Sequence, residues 1–360
     1  MSTLRVTAEV LTVHEHPNAD SLELAQVGLY RAVVAKGAFR TGEAAVYIPE
    51  QAVLPAGLIE ELGLTGRLAG SRADRVKAVR LRGELSQGLV CRPRALADVD
   101  LVRAAAERTD FAERLGITKW APPVPVSMSG DVESAPDLLP WGDIENIQRY
   151  PDLFAPGEPV VLTEKVHGTA CLMTYHAGDG RVRVSSKGFG AKGLALKEDA
   201  RNLYWRTVRG HDVPAVAARL AKRLGATRVG VFGEVYGAGV QDLAYGADGR
   251  AQGERPGYAV FDVSVEIEGQ VRRLDAADLH TLLEGELPLV PRLYAGPYDV
   301  ATVLELATGE ETLTGRGVHL REGVVIRPAT ERYSPVVGGR AIAKAVSPAY
   351  LTRKGGTEYE

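Results

Sequence analysis

A lysine at the end of an apolar strand is the residue of this sequence best placed to form a covalent bond. An apolar run at residues 160–164 leads into Lys165, and Gly168 follows three residues later. A lysine at a strand end can point into a cleft, and a glycine lets the backbone approach a ligand closely. A free lysine amine has a pKa of about 10.4, so it needs neighbouring cations or a metal ion to become a nucleophile. Alone, the pattern also fits a surface lysine in a turn.

Five further charged or aromatic residues lie at or near predicted strand ends. They are Lys187, Glu234, Phe261, Glu322 and Lys344. The two carboxylates could instead be exposed strand-edge groups, Phe261 could belong to the core, and the two lysines could be solvated.

In this order and spacing, the segments resemble the motifs of the covalent nucleotidyltransferase superfamily, which comprises RNA ligases, DNA ligases and mRNA capping enzymes. The resemblance covers about residues 140–352. The Lys-x-His-Gly form at 165–168 is more similar to RNA ligases than to DNA ligases, which usually have Asp where His167 stands.

The N-terminal part narrows the resemblance to one family. Residues 14–28 resemble OB-type tRNA-binding modules. Four later segments look like RNA ligases that carry an N-terminal OB domain; they are residues 80–83, 86–89, 116–122 and 144–148. That family seals nicks in duplexes when the 3′-OH side is RNA. The resemblance therefore implies a nicked duplex with an RNA 3′-OH end as the partner, and RNA repair as the role.

The resemblance also implies a role for each motif residue. Lys165 would attack ATP and carry AMP. Phe261 would stack on adenine, Glu234 would accept from the ribose hydroxyls, and Lys187 and Lys344 would balance phosphate charge. The remaining nucleotide contacts would come from Glu164, Val166, His167 and Gly168. Glu322 and Glu234 would hold Mg²⁺ or Mn²⁺. His167 could contact the AMP phosphate or the metal's water, or could be structural.

One position departs from the family pattern. The last motif usually holds two basic residues with one residue between them, whereas here Lys344 is followed by Val346. Arg327 or Arg340 could supply the missing cation.

The distribution of elements predicts an α+β protein with three parts. About five short strands in residues 1–100 indicate an OB-type β-barrel. A helix at 101–115 and a proline-rich run form a predicted linker at 101–139. Residues 140–360 form the predicted nucleotidyltransferase domain of antiparallel sheets with flanking helices, because strands followed by segregated helices favour α+β over a regular βαβ alternation. Strands are predicted at 159–164, 170–175, 181–186, 228–235, 257–264 and 323–327, and helices at 194–209, 213–224 and 275–283.

Composition indicates a soluble cytoplasmic protein, and its basic residues are concentrated in one local run. The net charge of −3 shows no overall basic excess, but residues 67–94 carry eight Lys or Arg against two acids. Because phosphate contacts dominate nucleic-acid affinity, we expect Arg75, Lys77, Arg80 and Arg82 to bind nucleic acid, although the run also fits a solvated strand pair. Two cysteines are too few for a disulfide framework, no apolar run reaches the ~20 residues that span a bilayer, and no protein partner is evident.

Two other functions are compatible with parts of the pattern. A capping guanylyltransferase shares the lysine chemistry, but its OB domain follows the catalytic domain, and only sixteen residues follow Lys344 here. An RNA-binding protein with a decayed catalytic domain is the other possibility, which the intact Lys165, Glu234 and Glu322 disfavour.

Overall fold

The computed structural model describes residues 4–245, 256–354 and 356. Contacts divide the chain into two compact units, Ser2–Ala121 with Gln148–Pro151, and Pro122–Ile147 with Asp152–Glu360. The division falls inside the proline-rich run, so the predicted linker at 101–139 is shared between the units. Residues 101–121 go with the first unit because Phe111, Leu115 and Ile117 are buried in its apolar core.

The first unit is built from short antiparallel strands and two short helices. Its strands are β1 Thr7–Val10, β2 Thr12–Glu15, β3 Leu22–Val27, β4 Tyr30–Ala35, β5 Ala44–Ile48, β6 Ala52–Val53, β7 Val79–Leu81, β8 Glu84–Ser86, β9 Leu89–Cys91 and β10 Thr118–Lys119, and its helices are α1 Ala56–Glu61 and α2 Leu101–Glu107. The sheets have the orders β1-β5-β9, β2-β3-β4, β7-β8 and β6-β10. The predicted helix at 101–115 stops at Glu107, because Arg108 adopts a left-handed conformation with φ 52°.

Within its described residues, the second unit contains two larger sheets and six helices. Its strands are β11 Val132–Ser134, β12 Glu145–Asn146, β13 Pro159–Lys165, β14 Thr169–His176, β15 Val182–Ser186, β16 Leu194–Leu196, β17 Arg228–Tyr236, β18 Gly257–Ile267, β19 Gln270–Arg273, β20 Arg292–Pro297, β21 Gly323–Pro328, β22 Tyr333–Ser334, β23 Gly339–Arg340 and β24 Ala343–Val346. Its helices are α3 Lys187–Gly190, α4 Leu203–Gly210, α5 Val213–Leu224, α6 Ala276–Leu283, α7 Val300–Leu306 and α8 Pro348–Leu351.

The two large sheets carry the residues that the motifs single out. One has the order β11-β16-β15-β14-β17-β18-β19 and the other has the order β12-β24-β21-β13-β20. Helices α4 and α5 contribute to a large apolar core with β14, β17 and β18. The six predicted strands and the helices at 213–224 and 275–283 all have counterparts.

The predicted helix at 194–209 is wrong in its first half. Residues Leu194–Leu196 form β16, which pairs with β11, and α4 begins only after Asn202. The Asn202 side chain accepts from the backbone N–H groups of Tyr204 and Trp205, which caps the helix start. Local sequence favoured one long helix, but pairing with a distant strand decided the conformation of its first turn.

A buried ion-pair network lies between strands of the two sheets. Asp262 of β18 is fully buried; its carboxylate accepts from Arg340 of β23 and lies 3.4 Å from Arg327 of β21. Glu331 pairs with Arg340 at 2.5 Å. Because buried charges are tolerated only when they are paired, this network constrains how β18 and β21 approach each other.

No helix within the described part of the chain is both long enough and apolar enough to cross a membrane.

Candidate active site

The Lys165 amine lies against a carboxylate from the neighbouring strand. Lys165 ends β13 and is opposite Gly323 at the start of β21, so the preceding Glu322 meets it. Lys165 Nζ is 2.5 Å from Glu322 Oε1. Burial by itself raises the pKa of Glu322, but the charge of Lys165, followed by the interaction with His167, brings it down to about 2. Glu322 is therefore a fixed anion beside the amine.

Two glycines allow the backbone to pass closely at this point. A Cβ on Gly168 would lie 2.1 Å from the carbonyl oxygen of Val235, and one on Gly323 would lie 2.1 Å from that of Ala345. Both distances are far inside van der Waals contact, so neither position accepts a side chain without moving backbone. At Gly168 the requirement for glycine therefore comes from the close approach of its backbone to β17.

Three more charged residues are electrostatically coupled to this pair; together the five are called the lysine–carboxylate cluster and comprise Lys165, Lys187, Lys344, Glu234 and Glu322. Burial raises the pKa of Glu234 to about 7, although the charge of Lys165 opposes this. Burial, followed by the charges of Lys165 and Lys187, lowers the pKa of Lys344 to about 8. The structure therefore brings these five predicted residues together around one positively charged site, the electrostatics that phosphate groups require.

Residues 143–146, which overlap the 144–148 segment of the sequence analysis, position both Lys187 and Lys344. Lys187 Nζ is 2.9 Å from Asp143 Oδ1. Asn146 of β12 is opposite Lys344 of β24 in a parallel pair. The 143–146 segment therefore helps to hold both lysines, a role that could not be read from its sequence.

A β-bulge presents Phe261. Between β17 and β18 the register shifts so that Phe232 is opposite Asp262 and Gly233 is opposite Val260, which leaves Phe261 as the extra residue. Bulges re-aim side chains and are common beside active sites. The Phe261 ring is partly exposed and lies 4.9 Å from the ring of Trp141.

Two of the predicted nucleotide-binding residues point elsewhere. Glu164 precedes Lys165 on β13 and so faces the opposite side of the strand; its carboxylate accepts from the backbone N–H and hydroxyl of Thr312 at 2.7 and 2.6 Å. Val166 is buried in an apolar cluster with Tyr245 and Val290. Their side chains contact Thr312 and the cluster of Tyr245 and Val290, so the structure does not bring them together with Lys187, Glu234 and Lys344.

Both cations considered as replacements for the missing basic residue are already paired. Arg327 and Arg340 contact the Asp262 carboxylate, and Arg340 also contacts Glu331. Their charges are balanced by carboxylates within the protein. The expectation that either takes the place of a base at Val346 has no geometric support.

The donor set fits a metal ion that is held mostly by water and phosphate. Within residues 4–245, 256–354 and 356, no three His, Cys, Asp or Glu side chains form a metal-binding group. Mg²⁺ is commonly bound through one or two carboxylates together with waters and substrate phosphates. Glu234 and Glu322 supply that number of carboxylates, and the charge of Glu322 contributes to the raised pKa of Glu234.

The four predicted nucleic-acid-binding residues of the first unit differ in exposure. Arg80 and Arg82 are exposed on β7 and the turn that follows it. Lys77 is half-buried, and Arg75 is half-buried with its guanidinium 3.9 Å from the centre of the Trp120 ring. Arg80 and Arg82 are therefore the two side chains of this set that are best placed to meet a phosphate backbone.

Several residues around the site were missed by the motif comparison. They are Asp143, Asp242, Tyr245, Tyr350 and Arg353. Their signal is weak because the contacts that link them to the predicted site residues join distant positions: Tyr350 OH contacts His167 Nδ1 across 183 positions of sequence. Only the fold brings them next to Lys165 and His167.

The fold and the lysine–carboxylate cluster define a covalent nucleotidyltransferase-type domain that follows a small barrel. A family model described as RNA ligase matches residues 158–346, and a model described as an OB-fold domain matches residues 4–93. The chain belongs to the RNA ligase family. The predicted fold class, an OB-type barrel followed by an α+β nucleotidyltransferase domain, is thereby confirmed.

Solved structures of a Naegleria gruberi RNA ligase have the same fold over nearly the whole chain. The form with pyrophosphate superposes with a TM-score of 0.76 at 22% identity and covers 98% of each chain. A variant of that ligase with ATP and Mn gives 0.75 at 21% identity, covering 96% of this chain and 98% of the other. At these identities the likeness establishes the fold. No curated protein matches the chain by sequence.

Proposed function

We propose that this RNA ligase uses ATP to seal nicks in duplexes whose 3′-OH side is RNA, in cytoplasmic RNA repair. The observation that carries the proposal is the 2.5 Å pair between Lys165 and Glu322 inside a cluster of three lysines and two carboxylates. The solved relatives with pyrophosphate and with ATP and Mn support the choice of nucleotide. Free, buried Cys91 and Cys171 fit a reducing cytoplasm.

The proposed reaction has three transfers. Lys165 Nζ, having lost a proton, attacks the α-phosphorus of ATP; a P–N bond forms, the bond to the β-phosphate oxygen breaks, and pyrophosphate leaves. The AMP then moves from Lys165 to the 5′-phosphate at the nick. Finally the 3′-OH attacks that phosphate and AMP leaves. In such transfers positioning and stabilisation of charge dominate the rate.

The lysine–carboxylate cluster and Phe261 together supply the positioning and the stabilisation of charge. Lys187 and Lys344 stabilise negative charge on the phosphates, Glu234 accepts from the ribose hydroxyls, and Phe261 offers a flat apolar face to adenine. When bound, Mg²⁺ or Mn²⁺ adds positive charge at the phosphate oxygens, and Glu322 and Glu234 are the residues that would hold it.

The choice of nucleotide separates this proposal from capping. We expect radiolabel from α-labelled ATP, and not from α-labelled GTP, to remain on the protein in denaturing gels. Label from GTP alone would favour guanylyltransferase chemistry, and no label from either would favour a non-catalytic RNA-binding protein.

The sugar next to the break should decide which nicks are sealed. We expect efficient sealing when the 3′-OH strand ends in RNA and weak sealing of an all-DNA nick, because the 2′-hydroxyl distinguishes RNA from DNA at a given position. The measurement is a set of four nicks with RNA or DNA on each side of the break. Equal rates for the all-DNA nick and the RNA-3′-OH nick would contradict the preference.

Arg80 and Arg82 should contribute to holding the duplex. In the double variant Arg80→Ala/Arg82→Ala, we expect weaker binding of a nicked duplex and a plot of log K against log salt that is shallower by about 1.8, since each phosphate contact contributes about 0.9. ATP labelling should persist, because both residues belong to the first unit.

A matched control comes from the same unit. Arg103 and Arg114 are exposed arginines already paired with Glu107 and Asp98. Arg103→Ala/Arg114→Ala removes the same formal charge and should leave the salt slope near that of the unmodified protein. A change of equal size in both double variants would mean that only total charge matters.

A further inference from the structure

Both ring nitrogens of His167 are held by residues outside the family motifs. His167 Nδ1 is 2.8 Å from the hydroxyl of Tyr350, and Nε2 is 2.9 Å from Asp242 Oδ1. The His167 side chain is almost fully buried, with 3% exposure. An imidazole that is buried and hydrogen-bonded at both edges has one orientation available to it.

Arg353 organises both of these partners. Its Nε and Nη2 donate to the two carboxylate oxygens of Asp242 at 2.9 and 3.1 Å. Its Nη1 donates to the backbone carbonyl of Tyr350 at 2.9 Å, and its guanidinium lies 3.7 Å from the centre of the Tyr350 ring. A bidentate, stacked arginine restricts both groups in direction as well as in distance. Asp242, Tyr350 and Arg353 are called the His167 latch.

The latch is linked to the Lys165 amine through two contacts of the Glu322 carboxylate. His167 Nδ1 is 3.6 Å from Glu322 Oε2, and the other oxygen of that carboxylate is 2.5 Å from Lys165 Nζ. The ring therefore limits where the Glu322 carboxylate can turn, and the carboxylate limits where the amine can go.

The segment that contains Asp242 also holds the backbone beside Lys165. The backbone N–H of His167 donates to the Tyr245 hydroxyl at 2.6 Å, and Gln241 donates to the carbonyl oxygen of Gly168 at 2.8 Å. The 241–245 segment therefore contacts both the imidazole ring of His167 and the backbone of residues 167 and 168.

We propose that Asp242, Tyr350 and Arg353 are positioning residues for the first nucleotidyl transfer, in which they hold His167 against Glu322 and so aim the Lys165 amine. The inference rests on the proposed function. Attack on the α-phosphorus requires the amine in line with the departing pyrophosphate, and a misplacement of about 1 Å can cost about 100-fold in rate. Sealing of a nick that already carries AMP does not use Lys165 as a nucleophile, so it should depend much less on the latch.

The test compares latch variants with variants that lose the same kind of contact elsewhere. Tyr350→Phe removes only the hydroxyl and keeps the ring under Arg353. Arg353→Ala removes the two hydrogen bonds that the guanidinium donates to Asp242. Tyr294→Phe is the first control, because the Tyr294 hydroxyl donates to the Pro297 carbonyl oxygen at 2.9 Å. Arg332→Ala is the second control, because Arg332 donates two hydrogen bonds to the Glu158 carboxylate, at 2.7 and 2.9 Å, and lies over the Phe154 ring.

Each variant is measured as the full chain in four ways: rate of AMP–protein formation at saturating ATP, half-saturating ATP concentration, rate of sealing a pre-adenylated nick, and Tm. We expect Tyr350→Phe to slow AMP–protein formation about tenfold and Arg353→Ala about 10- to 100-fold. Half-saturating ATP and pre-adenylated sealing should stay within about threefold of the unmodified protein. Arg353→Lys should recover part of the loss, and both controls should label normally.

Two results would overturn the inference. Normal labelling rates in Tyr350→Phe and Arg353→Ala would show that the latch does not aim the amine. Proportional loss of labelling and of pre-adenylated sealing, with a lowered Tm, would show that it only supports the fold. Absence of label on the unmodified protein would instead reject the proposed function.

Discussion

Replacing Lys165 with alanine should reduce AMP–protein formation to background and abolish sealing of nicks that carry a 5′-phosphate. Lys165 Nζ is the amine of the cluster that lies at a strand end against Glu322, and alanine offers no nucleophile in its place. The measurement is label retained from α-labelled ATP after denaturation, together with sealing of a nicked duplex.

The same variant should still close a nick that is already adenylated, because that step needs the AMP pocket and the 3′-OH but no attack by lysine. Lys222→Ala is the control; Lys222 is an exposed lysine on α5, and its loss should change neither activity. Retained labelling of purified Lys165→Ala protein would show that another residue carries the AMP.

Glu322→Ala should show the second largest loss. The carboxylate is held as an anion with a pKa of about 2, chiefly by the Lys165 charge acting against burial, and no neighbour can replace an acceptor oxygen at that point. Losing a charged hydrogen-bond partner costs about 1.5–3 kcal/mol, which is about 10- to 150-fold in rate at about 1.4 kcal/mol per tenfold. The sealing rate should be followed across a magnesium titration, and Glu234→Ala should fall in the same range.

Glu266→Ala provides a matched control for Glu322. Glu266 also has its pKa lowered to about 2, here by hydrogen bonds from Arg228 and Thr227, at the far end of β18. Removing it should affect stability and leave sealing near normal. Wild-type sealing by Glu322→Ala at every magnesium concentration would exclude the metal role of this carboxylate, and equal losses in both variants would assign the effect to stability.

The residues proposed to carry the reaction could be selected from the sequence because their signals are local. Lys165, Glu234 and Glu322 each lie at the end of, or next to, a short run of apolar residues bounded by polar residues or glycine, which is a local pattern that favours strands. Strand alternation alone also implies that Glu164 faces away from Lys165, and the structure has it bonded to Thr312.

The contacts that orient those residues could not be predicted, because they join positions far apart in sequence. Leu194–Leu196 is a strand only because it pairs with Val132–Ser134, although its local sequence favours a helix. Arg327 and Arg340 looked available to phosphate, yet Asp262 and Glu331 pair with them.

The amino-acid sequence by itself determined which residues are candidates for the chemistry and in what order they occur along the strands. The tertiary structure decided which charges are balanced and which remain directed at a ligand. His167 contacts Tyr350 and Asp242, and Lys187 contacts Asp143, because packing of the sheets brings segments that are distant in sequence within hydrogen-bond distance of each other. The strength of an ion pair or hydrogen bond depends on the distance between the two groups and on their burial. Neither quantity can be read from local sequence.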